Sequence, residues 1–245
     1  MFFWKGNIVK RVLVIIPAYN EQESILKTVQ TVKNCSFHKQ YKVDYIVIND
    51  GSKDDTLSVL KNNDLSYLNL PMNLGIGGAM QTGYLYACEN DYDYAIQLDG
   101  DGQHNPEYIE QLLTALEAEN ADMVIGSRFI KKEGFQSTGM RQLGIKLLSV
   151  TIRLLTSKKI LDVTSGFRLC NKKLIAYFAN NYAEDYPEPD AIVSSVKNGY
   201  KVIESPVIMN ERQGGASSIA GLKTIYYMCK VEFSLIIQAI KKKEG

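Results

Sequence analysis

The sequence has little cysteine, histidine and tryptophan, and it has no long apolar run. Its 245 residues include 4 cysteines, 2 histidines and 1 tryptophan. The cysteines lie 53, 82 and 59 residues apart, which excludes a CxxC zinc site and a dense disulfide framework. No stretch of about 18 apolar residues occurs, and residues 1–11 lack the apolar core of a signal peptide. We therefore expect a cytosolic chain with reduced thiols that is soluble or lies on a membrane surface.

The sequence also lacks an excess of charge of either sign. With 28 basic and 27 acidic residues its net charge is +1, so nucleic acid is not an expected partner. The charges are unevenly distributed along the chain. Residues 89–122 contain 10 acidic residues and no lysine or arginine, whereas residues 128–173 contain 11 basic and 2 acidic residues. An acidic block followed by a basic block suggests a cation site beside an anion site.

Short β-branched runs alternate with segments of helical spacing. A composition of 45% hydrophobic and 22% charged residues is typical of a globular chain. The alternation predicts an α/β fold with a mostly parallel, Rossmann-like central sheet. Strands are predicted at residues 12–16, 45–48, 94–98, 123–125 and 199–203, and helices at residues 24–32, 80–88 and 108–118.

Polar loops follow the first three predicted strands, where ligands bind in this architecture. Asp99 and Asp101 flank a glycine directly after a buried strand, so both carboxylates can face one hard divalent cation. Gln103 offers a third oxygen ligand. The alternative is an ordinary acidic turn that caps the next helix. His104 either touches the cation or the anion bound beside it, or caps that helix.

A glycine-rich stretch at residues 73–79 precedes the helix predicted at residues 80–88. Gly75 and Gly78 allow backbone N–H groups to approach an anion, so this stretch is a candidate phosphate cradle. The alternative is a flexible loop. Met80 stands where G-x-G-x-x-G needs its third glycine, and no Gly-Lys-Ser/Thr occurs. These mismatches argue against a dinucleotide oxidoreductase and a P-loop NTPase.

Seven motifs occur in one order along residues 12–218, which is nearly the whole chain. In this order the chain resembles the family 2 glycosyltransferases, in particular the polyprenyl-phosphate enzymes of the dolichol-phosphate mannose synthase type. The motifs are PAYNE at 17–21, NDGS at 49–52 with Asp54, NLG at 73–75, DGD at 99–101, GSR at 126–128, TSGFR at 164–168 and RQGGASS at 212–218.

The resemblance implies a GT-A fold that binds a nucleotide diphosphate sugar with Mg²⁺ or Mn²⁺ and transfers the sugar with inversion. One departure is Ile76, where many relatives have lysine. The implied nucleotide-sugar contacts are Pro17, Tyr19, Glu21, Asp50, Gly75, Gly78, Asp99 and Gly100. The implied metal ligands are Asp99, Asp101 and Gln103. The implied acceptor or phosphate contacts are Arg128, Arg141, Arg168, Ser217 and Ser218, and the implied catalytic residues are Asp101, Glu188 and Arg212.

The chemistry of the acceptor decides whether a general base is needed. A lipid monophosphate is already anionic near pH 7 and needs cations to position it, whereas a sugar hydroxyl must lose a proton to a carboxylate. The basic block favours polyprenyl phosphate as the acceptor. At the position of Glu188, many family members carry a Glu-Asp pair, which supplies the catalytic base. In this chain the pair is Pro187-Glu188. The alternative role of Glu188 is that of a charge in a proline-stiffened turn.

Three other functions stay open at this point. The first is transfer to a hydroxyl of a lipid-linked oligosaccharide or a cell-wall polysaccharide. The second is a sugar nucleotidyltransferase, although the Gly-rich N-terminal phosphate loop of such enzymes is absent. The third is a silent nucleotide-sugar-binding scaffold. The resemblance favours a UDP-sugar donor and cell-envelope glycan synthesis.

Several amphipathic segments predict association with a membrane surface. We expect one catalytic domain over residues 1–221, with a nucleotide-sugar half at about 10–128 and an acceptor half at about 129–221. An amphipathic helix and a basic tail follow over residues 222–245. Together with a basic segment at 143–161 and the cluster Phe2, Phe3 and Trp4, this helix would face anionic lipid on the inner side of the membrane. The alternative is packing on the sheet or on another subunit, as a homo-oligomer or with a small membrane-protein partner.

Overall fold

The computed structural model of the chain describes residues 9–134, 139–210 and 230–232, with the side chains of residues 139–141 left out. The strands are β1 (Lys10–Ala18), β2 (Tyr41–Asn49), β3 (Tyr67–Asn69), β4 (Tyr94–Gln97), β5 (Met123–Ser127), β6 (Arg168–Asn171) and β7 (Val202–Pro206). The helices are α1 (Ile25–Asn34), α2 (Thr56–Asn62), α3 (Gly75–Glu89), α4 (Ile109–Ala118), α5 (Gly139–Thr156), α6 (Lys172–Asn181) and α7 (Pro187–Lys197), with a 3-10 turn at Pro106–Tyr108.

The seven strands form one sheet in the order β3-β2-β1-β4-β6-β5-β7. Every neighbouring pair is parallel except the two that include β6, which runs antiparallel between β4 and β5. The predicted α/β fold with a mostly parallel central sheet is therefore confirmed. Because β6 runs in the opposite sense, the loop before it crosses the edge at which β4 and β5 end.

Strand β1 is buried on both faces, as its uninterrupted apolar run predicts. Leu13 and Ile15 belong to the apolar cluster on one side of the sheet, and Val12, Val14 and Ile16 belong to the cluster on the other. All five side chains are fully buried. Helices cover both faces of such a sheet, so the edge formed by the strand ends is the place left for a ligand.

The structure differs from the predicted elements in several places, and strand β3 and helices α2 and α6 are among the elements that were not predicted. Strand β6 was not predicted, because four residues are too few to show a period of two. Strand β7 begins at Val202 rather than residue 199, since Gly199 (φ +85°) still belongs to the turn after α7. The basic segment at 143–161 is helical only as far as Thr156, where α5 ends, because Ser157 has a φ of +58°.

Helix α3 begins earlier than predicted, at Gly75, so the glycines of the predicted cradle lie in its first turn. A Cβ atom on Gly77 would stand 2.2 Å from the Ala183 carbonyl oxygen and 2.3 Å from that of Glu184. Gly77 thus permits the segment between α6 and α7 to cross the helix at close range. Gly75 has a φ of +76° and open space around it.

Two of the predicted membrane segments lie outside the described residues. These are the cluster at residues 2–4 and the C-terminal helix and tail, of which only residues 230–232 are described, as helix. Among the described helices, none combines the length and the apolar content needed to cross a bilayer. The division of the chain into two halves and a C-terminal helix stays a prediction.

We expect Gly77→Ala to lower the free energy of unfolding by about 1–3 kcal/mol, because the new methyl group collides with two backbone carbonyls. Chemical denaturation of the purified protein measures this. Gly75→Asn is the matched control in the same turn, since asparagine tolerates a positive φ and meets open space. A shift of about 0.5 kcal/mol or less is expected for the control. Equal effects of the two variants would contradict the packing role of Gly77.

Candidate active site

The loops after β1 and β2 are joined by hydrogen bonds between side chains and backbone. The Asn20 backbone N–H donates to Ser52 Oγ at 3.0 Å, and the Lys53 N–H donates to Asn20 Oδ1 at 2.8 Å. Gln22 and Asp54 extend the connection, because the Gln22 N–H donates to Asp54 Oδ2 at 3.2 Å. These contacts give the polar residues of both motifs a structural task, which is to hold two loops together at the edge of the sheet.

Asp50 lies at the N-terminus of α3 and is 3% exposed. Its Oδ1 accepts the Leu74 N–H at 2.7 Å, and its own N–H donates to the Ala18 carbonyl at 2.9 Å. Burial raises the pKa of the Asp50 carboxyl, and hydrogen bonds from the backbone of Leu74 and Gly75 offset part of that shift. The helix N-terminus predicted as a phosphate cradle therefore already holds the Asp50 carboxylate.

Several of the predicted nucleotide-sugar contacts lie together at this edge. A Cβ on Gly100 would stand 3.2 Å from the Pro17 carbonyl oxygen and 3.6 Å from Glu21 Cγ, so the three residues are neighbours. The Glu21 carboxylate accepts the Ser24 hydroxyl at 2.5 Å. Tyr19 is 43% exposed at the rim. The structure thus places the loops after β1, β2 and β4 next to one another at this edge of the sheet.

The turn after β4 is fixed from two sides. Asp99 Oδ1 accepts Gln97 Nε2 at 2.9 Å, and the Asp99 N–H donates to His104 Nδ1 at 3.0 Å. Asp101 is 3% exposed, and its Oδ1 accepts the Gln103 N–H at 3.0 Å. The Asp99 side chain keeps 32% of its surface exposed. One carboxylate of the pair is thus buried in the turn, and the other is partly exposed.

His104 packs between the turn of Asp99 and the side chain of Phe167. Its ring stacks on Phe167 with centroids 4.9 Å apart, and its Nε2 lies 3.7 Å from Asp99 Oδ2. The cap of the following 3-10 turn is Asn105, whose side chain accepts the Glu107 N–H at 3.1 Å. His104 therefore does not cap the following 3-10 turn, because Asn105 does. His104 contacts Asp99 instead.

The donor set of the turn fits Mg²⁺ or Mn²⁺ that is shared with a substrate. Asp99 and Asp101 supply carboxylate oxygens, and Mg²⁺ in proteins is commonly held by one or two carboxylates together with substrate phosphates. Over the part of the chain that the structure describes, no group of three or more histidine, cysteine, aspartate or glutamate side chains is arranged to hold a metal by itself. The carboxylate oxygens of Asp99 and Asp101 are the kind of donor set that Mg²⁺ shares with a substrate phosphate.

Arg128 forms a buried ion pair with Asp162. Arg128 Nε and Nη2 donate to the two Asp162 carboxylate oxygens at 2.7 and 2.6 Å, and the Arg128 N–H donates to Oδ2 at 3.0 Å. Burial lowers the pKa of Arg128, but Asp162 and the charge of Asp99 outweigh burial and raise it. Arg128 is only 6% exposed, which differs from the acceptor-facing position that the resemblance implies.

Arg168 is also buried, at 1% exposed, and its guanidinium contacts backbone carbonyls. Nε donates to the Ser165 carbonyl at 2.6 Å, Nη2 to that of Val163 at 3.1 Å, and Nη1 to that of Glu188 at 2.5 Å. Its observed contacts hold the loop before β6 to the first turn of α7. This arrangement again differs from an arginine that faces an acceptor.

Glu188 lies in the first turn of α7 and is half-buried. Tyr186 begins this turn with a φ of +53°, and Pro187 occupies the first helical position. The proline-stiffened turn predicted around Glu188 is therefore the first turn of α7. Arg168 donates to the Glu188 carbonyl, so the backbone of Glu188 is held to the loop before β6. The same loop contacts Asp99 through Gly166.

Gly166 lies directly against the acidic turn. A Cβ at this position would stand 2.6 Å from Gln97 Nε2 and 3.1 Å from Asp99 Oδ1. The loop at residues 162–168 therefore packs against one side of Asp99, and at Gly166 this contact leaves no room for a side chain. The turn of Asp99 and Asp101 and the loop at residues 162–168 thus form one packed unit.

Part of the predicted site lies outside the described residues. Arg212, Ser217 and Ser218 belong to this part, and the side chain of Arg141 is not described either. Their roles stay predictions.

Four functional positions were missed by sequence reasoning. Asp162 pairs with Arg128, Gln97 donates to Asp99, Phe167 stacks on His104, and Glu204 binds the backbone at Asp162. The Glu204 carboxylate accepts the N–H groups of Leu161 and Asp162, both at 2.8 Å. The one signal in the sequence was Asp162 as an isolated acid in the basic block. Isolated acids in such blocks are candidate partners for a buried arginine.

We expect Asp162→Ala to lower the free energy of unfolding by about 3–5 kcal/mol, because it leaves the buried Arg128 guanidinium without its partner. Replacing both residues, Arg128→Met with Asp162→Leu, should restore most of the lost stability. The exposed pair of Lys201 and Glu119 is the control, and Glu119→Ala should change stability by about 0–1 kcal/mol. Thermal and urea denaturation of the four proteins measure this. A double variant as unstable as Asp162→Ala would speak against the ion pair as the cause.

Comparison with known proteins identifies the family. Residues 13–178 match the family described as Glycosyl transferase family 2. Polyprenol monophosphomannose synthase of Mycolicibacterium smegmatis is 28% identical over 232 residues, covering 91% of this chain and 86% of that protein. UDP-N-acetylglucosamine–dolichyl-phosphate N-acetylglucosaminyltransferase of Methanococcus voltae is 26% identical over 252 residues, covering 93% and 98%.

A solved structure agrees with the fold. Glucosyl-3-phosphoglycerate synthase from Mycobacterium tuberculosis, in complex with Mn²⁺, UDP and phosphoglyceric acid, superposes with a TM-score of 0.69 at 18% identity. The superposition covers 96% of this chain and 81% of that one. The chain belongs to glycosyl transferase family 2, and it is a glycosyltransferase with the GT-A fold.

Proposed function

We propose that this glycosyltransferase moves a sugar from a UDP-sugar to polyprenyl phosphate, with inversion and with Mg²⁺ or Mn²⁺. The reaction takes place at the inner face of the membrane and serves cell-envelope glycan synthesis. The observation that carries the proposal is the turn of Asp99 and Asp101, which lies at the sheet edge between the loops after β1 and the loop before β6. Both relatives named above act on polyprenyl or dolichyl phosphate, as their names state.

The donor half fits a nucleotide diphosphate sugar. The nucleoside would be contacted by residues of the loops after β1 and β2, namely Pro17, Tyr19, Glu21 and Asp50. Gly100 beside them would allow the backbone to approach the donor. The solved relative contains UDP, and the name of the Methanococcus voltae relative specifies a UDP-sugar. The relatives transfer different sugars, so the sugar depends on pocket details that the family does not share.

Asp99, Asp101 and Gln103 would hold the divalent metal. When bound, such an ion neutralises the negative charge that builds up on a departing nucleoside diphosphate. The exposed face of the Asp99 carboxylate is available for this contact. The buried position of Asp101 and its bond from the Gln103 N–H keep the turn in one conformation before substrate arrives.

The acceptor half fits a nucleophile that is already charged. A phosphate monoester needs cations for positioning rather than a base. Because Arg128 and Arg168 are engaged in holding the loop, we assign contact with the acceptor phosphate to Arg141, Arg212, Ser217 and Ser218. Arginine suits this task because its planar fork binds two phosphate oxygens.

The decisive experiment is a donor screen with purified protein, Mn²⁺ and a short polyprenyl phosphate. Labelled sugar recovered in the lipid phase, with its mass measured, identifies donor and acceptor together. Release of pyrophosphate on addition of a sugar phosphate would instead support a nucleotidyltransferase. The absence of lipid product with every donor would overturn the proposal.

Removing the carboxylates of the metal turn should abolish transfer. We expect Asp101→Asn to lower kcat/KM by about 10²-fold or more, because several kcal/mol of leaving-group stabilisation depend on the ion. Asp99→Asn should act in the same direction and also raise the Mn²⁺ concentration needed for half-maximal rate. Asp93→Asn, outside the site on the opposite end of β4, is the control. Transfer that persists in both site variants with excess chelator would contradict metal dependence.

Glu188→Gln separates the two acceptor chemistries. With a polyprenyl phosphate acceptor we expect turnover close to that of the wild type, because the nucleophile brings its own negative charge. With a hydroxyl acceptor the loss of a general base should lower turnover by about 10²-fold or more. Single-turnover rates of transfer measure the difference. The Arg168 contact is made to the Glu188 backbone and is preserved in this variant. A large loss with polyprenyl phosphate would favour the hydroxyl alternative.

A further inference from the structure

Helix α5 carries an exposed apolar stripe on its outward side. Leu143, Leu147, Val150 and Leu154 are 65%, 55%, 56% and 79% exposed. Their spacing of four, three and four residues places them on one side of an α-helix. The stripe is about 16 Å long at the rise of 1.5 Å per residue. We call these four residues the outward stripe.

The same helix buries a second apolar face. Ile145, Leu148 and Ile152 are at most 1% exposed and belong to the core. In angular terms these three lie opposite the outward stripe. A helix that packs on a core needs one apolar face, so the second face is not required for folding. Contiguous exposed apolar surface of this kind marks an interaction site.

Basic residues border the stripe. Lys146 and Arg153 lie along one side of it, and Lys158 and Lys159 follow the end of the helix; all four are exposed. Residues 139–161 contain no aspartate or glutamate. Within the described part of the chain, no ion pair joins these four side chains to a carboxylate. The surface therefore combines apolar contact area with unneutralised positive charge.

We propose that the outward stripe and its four basic neighbours are the surface by which this protein lies on an anionic lipid bilayer. Leucine and valine would enter the boundary between headgroups and acyl chains, and lysine and arginine would contact the headgroup phosphates. The inference deepens the proposed function and rests on it for its purpose, which is to bring the protein to a lipid-borne acceptor. The absence of acidic residues favours a lipid surface over a protein partner of mixed charge.

The position of α5 connects this surface to the acceptor half. The helix packs against α7, whose first turn holds Glu188. After Thr156 the chain needs only five residues to reach Asp162, the partner of Arg128. A bilayer held on the outward stripe thus lies next to the elements that form the acceptor side.

Vesicle sedimentation tests the proposal with full-length protein. The probes are vesicles of phosphatidylcholine alone and of phosphatidylcholine with about 30% phosphatidylglycerol. We expect the wild type to bind the anionic vesicles more tightly. Lys146→Gln with Arg153→Gln should weaken that binding roughly 30-fold, at about 1 kcal/mol for each charge. Leu147→Gln with Leu154→Gln should weaken it at least about tenfold.

Leu85→Gln is the matched control, because Leu85 is 44% exposed on α3, outside the stripe. It should bind vesicles like the wild type, and circular dichroism should show every variant folded. Vesicle binding that is unchanged in both double variants overturns the proposal. Light scattering gives a second result that would overturn the proposal. The wild type would be a dimer, and the double variant Leu147→Gln with Leu154→Gln would be a monomer that still binds vesicles. The outward stripe would then be the contact with a second copy of the chain.

Transfer to a short, water-soluble polyprenyl phosphate, measured on the same preparations, keeps the two proposals apart. A stripe variant that loses vesicle binding and retains this transfer supports the docking surface. Protein that binds vesicles through the stripe but transfers no sugar overturns the acceptor assignment alone. Protein that transfers sugar but binds no vesicles overturns the docking surface alone.

Discussion

The buried ion pair between Arg128 and Asp162 is the contact on which the geometry of the site depends. Arg128 follows β5, and Asp162 begins the loop that leads into β6. The Asp162 side chain is fully buried, and Glu204 on the edge strand β7 accepts its backbone N–H. A buried pair of this kind contributes little net stability because both charges lose their hydration. What it does provide is one defined path for the loop across the edge of the sheet.

The antiparallel strand explains why that path matters. If β6 ran parallel to its neighbours, the loop before it would lie at the opposite edge, away from the ends of β4 and β5. Its reversed direction brings Gly166 against Asp99 and Phe167 against His104. Arg168 then binds the loop to the Glu188 carbonyl. The turn of Asp99 and the first turn of α7 consequently contact the same loop, so a change at one of them can alter the shape of the other.

The sequence predicted the parallel half of the fold well, because strands buried on both faces are written as uninterrupted apolar runs such as residues 12–16. It also predicted where Asp99 and Asp101 lie, since the loop after a parallel strand has only one edge to occupy. It did not predict β6, which is too short to show alternation. Nor did it predict the surroundings of Arg128, because its partner lies 34 residues away and charge alone does not reveal which arginine is buried.

The glycines show the same limit from another side. In the sequence, Gly75, Gly77 and Gly78 form one phosphate-cradle pattern, but in the structure they have different surroundings. Gly75 provides a positive φ at the start of α3, and Gly77 makes room for two carbonyls of the chain that leads to α7. A pattern of small residues records only that side chains are excluded. Whether substrate or the protein's own backbone fills the space is decided by tertiary contacts.

The acceptor that we propose is both charged and embedded in a membrane, and these two properties would place different demands on the proposed acceptor half. The charge removes the need for a strong base, which agrees with a first turn of α7 whose residue before Glu188 is a proline. The membrane confines the acceptor to a plane, so the protein gains more from holding its own orientation to that plane than from enclosing a long isoprenoid. A helix with one face in the core and the other exposed beside lysine and arginine meets that requirement. Arg128 and Arg168 then hold the loop before β6. On this proposal, the orientation of the protein on the membrane depends on surface residues that take no part in the chemistry.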